Sequence, residues 1–168
     1  YTSTTTPKHG KFGFFKSELD CFRMVATELG LIEKSADVFA RHPLVYLMEA
    51  ADDICYQVMD IEDAHKLKIL GIEEVTTLLT GFFNPERCRH ITGVRDNIDD
   101  DNEKVAYLRS CVVGELVGEC AKVFVDNEEC ILNGEFEGCL IDHISLVARN
   151  GYAECSRTAW RKIYNSPD

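Results

Sequence analysis

The side chains best placed to do chemistry in this sequence are carboxylates. Glu49, Asp52, Asp60 and Asp63, with Tyr56 among them, recur three and four residues apart along a stretch free of Gly. On a helix turning about 100° per residue, these five fall within a sector of about 80°, on a strip about 21 Å long. Carboxylates this close repel one another by a few tenths of a kcal/mol per i,i+4 pair in water, and more where water is excluded. Such a strip either faces solvent or is neutralised by a bound cation. A divalent cation held only by oxygen needs more ligands than one helix face can aim at a point, so partners must come from elsewhere. His9, His42, His65, His90 and His143 are on offer. None forms a His-Asp pair, Asp142-His143 runs in the reverse order, and each reads as an ordinary surface or core histidine.

The helix that would position the strip is expected to start near His42-Pro43, where a first-turn Pro loses no hydrogen bond, and to run to about Leu67. Leu44, Leu47, Met48, Ala51, Cys55, Val58 and Met59 form its apolar stripe, expected to face the core. Ser17-x-x-Asp20 resembles a capping box that opens an earlier helix, which Gly30 closes. Ile72 to Thr80 predicts a shorter helix, and Gly81 to Asp101 reads as mixed, with Pro85, Gly93 and an acidic turn. Val105, Leu108, Val112, Leu116, Cys120 and Val123 mark a long helix, on which Gly114 and Gly118 would allow a close neighbour. Asn133-Gly134 predicts a turn, Leu140 to Val147 a short helix, and Ala153 to Tyr164 an amphipathic one. No strand or repeat stands out, so the expected fold is all-α, a single unit over residues 1–168.

Composition narrows the function classes. The length of 168 residues suits one domain with a real core. No apolar run approaches the roughly 20 residues of a membrane span. Eighteen basic against twenty-nine acidic side chains give a net charge of -11, which disfavours nucleic acid as a partner of the whole surface. A small anion needs only a local cluster of Lys or Arg, or a cation. Eight cysteines, none in a C-x-x-C pair, read as reduced core thiols of a cytoplasmic protein. Tyr1 in place of Met and the Ser-Pro-Asp ending predict a chain cut from a longer one at both ends.

Four segments carry a resemblance to a known family. The run from His42 through Glu49-Ala-Ala-Asp-Asp-Ile-Cys-Tyr56, then Asp60 to Ala64, closely resembles bacterial deoxyguanosinetriphosphate triphosphohydrolases of the HD superfamily. Lys11 to Glu18 and Lys162 to Asp168 resemble two further segments. The resemblance implies the carboxy-terminal portion of a helical, HD-domain-like enzyme without the upstream helices that carry most metal ligands. In that family a divalent ion, Mg2+ or Mn2+, is held by a His, a His-Asp pair and a final Asp. Only the final Asp has a match, Asp52, because Tyr56 and Asp60 then stand where the family's substrate-contacting Tyr and Asp stand. The register through Asp53 would put Gln57 and Ile61 there instead.

The resemblance implies hydrolysis of dGTP, or any dNTP, to deoxynucleoside and triphosphate. Tyr56 would pack on the deoxyribose or bond near the α-phosphate, Asp60 would accept from the 3'-hydroxyl, and Lys11, helped by Lys8 and Lys16, would hold phosphate. Glu49 and Asp63 read nearer to solvated surface, and Arg41 as a cation at a helix start. With one ligand of four, the chain alone is expected to be inactive. A homo-oligomer is expected, and nucleic acid only as an effector of the intact enzyme. Two other readings stay open: a regulatory or oligomerisation module of the same helical family, and an acidic helical binding protein without a nucleotide role.

Overall fold

The structure, a computed structural model, describes residues 14–165. Lys8, His9 and Lys11 lie outside the described residues, and so does the lead before them. Seven α-helices carry the described chain: α1 Leu19–Glu28, α2 Pro43–Lys66, α3 Ile72–Thr80, α4 Pro85–Arg95, α5 Asp101–Asp126, α6 Glu128–Leu132 and α7 Leu146–Ala159. A 3-10 turn, Leu140–His143, precedes α7, and a π-helical turn, Trp160–Tyr164, ends it.

The all-α expectation holds, with one correction. Glu33–Ser35 (β1) and Val38–Phe39 (β2) pair antiparallel, with Asp37 at φ 62 in the turn. Asp tolerates the left-handed region because its short side chain bonds locally, and here Asp37 also pairs with Arg23 of α1. A second correction concerns 81–101, where α4 occupies most of the stretch read as mixed. Its start was written in the sequence: Asn84 Oδ1 accepts from Arg87 N at 2.9 Å, and Pro85 follows in the first turn. At the first helix, Glu18 rather than Ser17 makes the entry bond, accepting from Phe15 N at 3.0 Å.

α5 is the spine. The six residues of its predicted stripe, Val105 through Val123, are all buried, and they meet the inner face of α2, with α3 and α4 packed alongside. α7 closes the bundle against α2 and α3. It comes so close that a Cβ on Gly151 would lie 2.9 to 3.0 Å from Phe82. Gly114 and Gly118, by contrast, have open space over them, so the close neighbour expected there is absent among the described residues.

The third correction is the inner face of α2. The fold buries Tyr46, Ala50, Ile54, Gln57, Val58, Ile61, Glu62 and Ala64. Of the predicted stripe only Val58 is among them, while Leu44, Leu47, Met48, Ala51, Cys55 and Met59 are exposed. α2 therefore has two apolar arcs, and the core uses the second. The thiols need a similar correction. All eight cysteines are free, but only Cys120 and Cys155 are buried, and Cys21, Cys55 and Cys130 are exposed.

Gly134 gives a direct test of the turn after α6. It sits at φ +68, and an added Cβ would lie 2.5 Å from the Ala40 Cβ. Gly134→Ala is expected to cost about 2 kcal/mol or more, from backbone strain and overpacking together, measured by urea unfolding.

Candidate functional site

The acidic strip lies between the two apolar arcs of α2, and the fold deals with its charges one at a time. Glu49 is half-buried and accepts from Arg41 Nη1 at 2.6 Å. Arg41 also donates to the Gly138 carbonyl and stands 4.1 Å over the Tyr46 ring. So Arg41 and Glu49 tie the start of α2 to the loop before Leu140, and Glu49 is not the solvated group expected from sequence. At the other end, Lys66 Nζ donates to Asp63 at 3.5 Å. Asp60 receives a hydrogen bond from the hydroxyl of Tyr164, 104 residues along the chain.

Asp52 and Asp53 part company. Asp53 is half-buried, and its carbonyl accepts from the Tyr152 hydroxyl at 3.4 Å. Burial, then the nearby Asp53 charge, push the Tyr152 phenol up and lift the Cys120 thiol to about 11. Asp52 is exposed and makes no hydrogen bond or ion pair to another described residue. One of the two neighbours thus serves the interior, and the other is left presented on the strip.

Tyr164 is the site residue that sequence reasoning missed. It belongs to the segment Lys162 to Asp168, which carries part of the resemblance, but its contact with α2 is a long-range one. Bonds to Asp60 first and to Tyr56 second hold its phenol above the usual range near 10. The sign follows directly: the contact is intact through neutral pH and is lost as pH rises through the raised value. Ultraviolet titration of phenolate should show Tyr164 among the late tyrosines, with Tyr152 and Tyr107, and Asp60→Asn should bring one of them back toward the ordinary range.

Cations come from α7. Tyr152, Ala153, Ser156, Arg157, Trp160 and Arg161 line an open cavity of about 690 Å3. It reaches α2 through Tyr152. Arg157 is held by Glu154, whereas Arg161 lines this cavity and a neighbouring one of about 460 Å3 on the α3 side. The basic spacing of α7 was visible in the sequence, but its position beside α2 was not.

The described histidines do not converge. His42 Nδ1 accepts from Leu44 N at 3.2 Å, the His65 ring bonds the Leu70 carbonyl at 3.2 Å, and the His143 ring bonds the Glu137 carbonyl at 3.0 Å. Among the described residues no group of three or more His, Cys, Asp or Glu is arranged to hold a metal ion. No described helix is long and apolar enough to cross a membrane.

The segments that this seam draws together are those that resemble one family, and the curated relatives are of that family. A deoxyguanosinetriphosphate triphosphohydrolase-like protein of Pseudomonas aeruginosa (strain LESB58) is 36% identical over 160 residues, 94% of this chain and 35% of that protein. The chain is homologous to part of a deoxyguanosinetriphosphate triphosphohydrolase-like protein. A Synechocystis protein of the same name is 36% identical over 136 residues, 79% of this chain and 29% of its own length. A Yersinia pestis (strain Pestoides F) deoxyguanosinetriphosphate triphosphohydrolase is 28% identical over 170 residues, 94% of this chain and 32% of its own. The chain thus spans about a third of the length of these relatives. No family model matches it.

Proposed function

We propose that this chain contributes the sugar-recognising side, and one metal-binding carboxylate, of a triphosphohydrolase that acts on dGTP or other dNTPs. The observation that carries the reading is the cluster of Tyr56, Asp60 and Tyr164, one helical turn from Asp52, which has no partner among the described residues. A deoxyribose has one flat apolar face and a single ring hydroxyl, the 3'. Two phenol rings flanking a carboxylate match both features.

Asp60 would accept from the 3'-hydroxyl, with Tyr164 yielding its place or sharing the second carboxylate oxygen. Tyr56 and Tyr164 would pack on the sugar and leave no room for a 2'-hydroxyl, which selects against ribose. Arg161, with Arg157 beside it, supplies positive charge on the same seam in a chain of net charge -11, and Lys11 would add to it. The cleavage adds water across the phosphoester at the 5' oxygen, releasing deoxynucleoside and triphosphate.

The described residues alone do not fit a metal. Asp52 offers Mg2+ or Mn2+ one carboxylate, and the remaining ligands would have to come from residues outside those described. In the whole protein such an ion would lower the pKa of its water and offset phosphoryl charge. By itself the chain is expected to be inactive. A cytoplasmic location accords with the eight unpaired thiols, and a homo-oligomer is part of the proposal. An assembly module without catalysis is the second reading, favoured by the exposed apolar arc of α2.

The test uses a hybrid, the Pseudomonas aeruginosa relative carrying this chain in place of its matching third. Asp60→Asn in the hybrid should lower kcat/KM for dGTP by about 10- to 100-fold, the range of a hydrogen bond to a charged group. With 2',3'-dideoxy-GTP, which lacks the hydroxyl, the same substitution should do little. Equal losses with both nucleotides would remove Asp60 from sugar recognition, and full activity of the hybrid without added metal would remove the ion.

A further inference from the structure

Trp160 is the one tryptophan of the chain, and it is 61% exposed. Tryptophan is buried over most of its area in folded proteins on average, so an indole left in water asks for a reason. Its place is specific. It lines the cavity of about 690 Å3 together with Tyr152, Ser156, Arg157 and Arg161, and no described aromatic ring or cation packs on the indole. Arg161 has no carboxylate partner among the described residues, and its guanidinium reaches only the Arg157 carbonyl, at 3.5 Å. Tyr164, one turn after Trp160, bonds Asp60, and Tyr152 at the other end of the cavity bonds the Asp53 carbonyl. The indole thus stands between the two points at which this helix bonds α2.

We infer that Trp160 is the platform on which the base of the nucleotide stacks, so that this chain reads a base by its flat face and not by its hydrogen-bonding edge. The inference rests on the functional reading above for the place of the sugar. In a deoxynucleotide, C1', which carries the base, is separated from C3' by a single ring carbon. With the 3'-hydroxyl at Asp60, the base therefore falls within about one helical turn, roughly 5 Å along the axis, of the Tyr164 contact. Trp160 is the aromatic residue one turn from Tyr164. Arg161, unpaired in the same cavity, brings the charge that draws an anionic ligand to a chain of net charge -11.

A stacking platform has a definite consequence for specificity. Every base has a π face, so stacking accepts all four, and it strengthens with ring area, so purines gain more than pyrimidines. Guanine and adenine are not told apart in this way. The choice between dGTP and dATP then belongs to residues outside those described, and Trp160 supplies a preference for purines as a class. A partner protein is the other ligand that an exposed tryptophan can take. The sugar-binding cluster one turn away and the unpaired guanidinium favour a nucleotide.

Kinetics of the Pseudomonas hybrid test the platform. Trp160→Ala should lower kcat/KM for dGTP and dATP by about 10- to 100-fold, and less for dCTP and dTTP. Trp160→Phe, which keeps a π face, should recover most of the loss, whereas Trp160→Leu, which keeps apolar bulk alone, should not. The deciding substrate is 2-deoxyribose 5-triphosphate, which has no base. Its turnover should be the same with Trp160 and with alanine there. Equal losses with and without the base, full recovery with leucine, or no loss at all would overturn the inference, since each makes Trp160 a packing residue or a bystander.

If the hybrid does not turn over, a second measurement decides. Because Trp160 is the only tryptophan, the emission of the isolated chain reports this cavity without any hydrolysis. Excited at the red edge of the indole band, where bases do not absorb, it should be quenched saturably by dGTP and dATP and left unchanged by inorganic triphosphate. No quenching, or an equal response to dGTP and inorganic triphosphate, would defeat the inference. The Asp60→Asn comparison turns on the 3'-hydroxyl and these experiments turn on the base, so the platform can fail while the sugar reading stands, and the reverse.

Discussion

Asp52→Ala in the Pseudomonas hybrid is expected to reduce metal-dependent dGTP hydrolysis about a thousandfold or more. An ion that activates water and offsets phosphoryl charge contributes several kcal/mol, and each 1.36 kcal/mol is a factor of about ten in rate. Asp52 has no partner among the described residues, so its loss should leave the stability of the isolated chain within about 0.5 kcal/mol. Asp53→Ala should behave in the opposite way. Asp53 sits against Tyr152 and Cys120, so its removal should act on packing and melting temperature more than on turnover. Steady-state kinetics and urea unfolding on both variants separate the two, and unchanged turnover in Asp52→Ala would reject the assignment.

The largest stability effect is expected where α2 meets α5. The Glu62 side chain is 11% exposed and forms an ion pair with Arg109 of α5, while Lys66 reaches its other oxygen at 3.0 Å. The Arg109 Nε is itself buried and faces Glu62 without a well-aligned hydrogen bond. Arg109→Leu strands a buried carboxylate with only an exposed lysine beside it, and should destabilise the fold by about 3 kcal/mol. Replacing both partners, Glu62→Leu with Arg109→Leu, removes the uncompensated charge and should bring stability back to within about 1 kcal/mol of the parent. Urea unfolding of the four proteins in a double-mutant cycle reads the coupling. Equal losses in the single and double variants would show that the pair is not what holds this contact.

Sequence pattern was a good guide wherever one face of an element alone is apolar. α5 is the plain case: its six residues recur at helical spacing along one face, and all six are buried. α3 was placed at Ile72–Thr80 for the same reason. α4 escaped because it buries only Ile91, so its helix rests on the Asn84 cap and local propensity instead of a stripe. The β1–β2 hairpin escaped because its first strand, Glu33–Ser35, is wholly exposed. α2 misled in a more instructive way. A helix apolar on two sides offers no internal sign of which side its own chain will cover, and the richer stripe was the wrong one.

The candidate site divides along a similar line. Asp52, Tyr56 and Asp60 share one helix, so their common face follows from turn geometry alone. Tyr164 reaches Asp60 only because α7 and the turn that ends it run along α2 in the same direction, with Tyr152 beside Asp53 and Tyr164 beside Asp60, a fact of tertiary packing that no local pattern contains. Arg41 and Glu49 show the converse. They carry opposite charges at the start of α2, and they satisfy each other.

The π-helical turn at Trp160–Tyr164, closed by Asn165 N donating to the Trp160 carbonyl at 3.0 Å, has a consequence for how this region tolerates change in length. Such a turn holds one residue more than an α-helical turn of the same rise. Deleting one residue here is absorbed, because the turn relaxes to regular winding and Tyr164 keeps its place beside Asp60. Inserting one residue more has no such outlet and would swing Tyr164 round by about 100°, away from Asp60. Length changes at this turn thus act as a one-way rotary setting on the contact with α2.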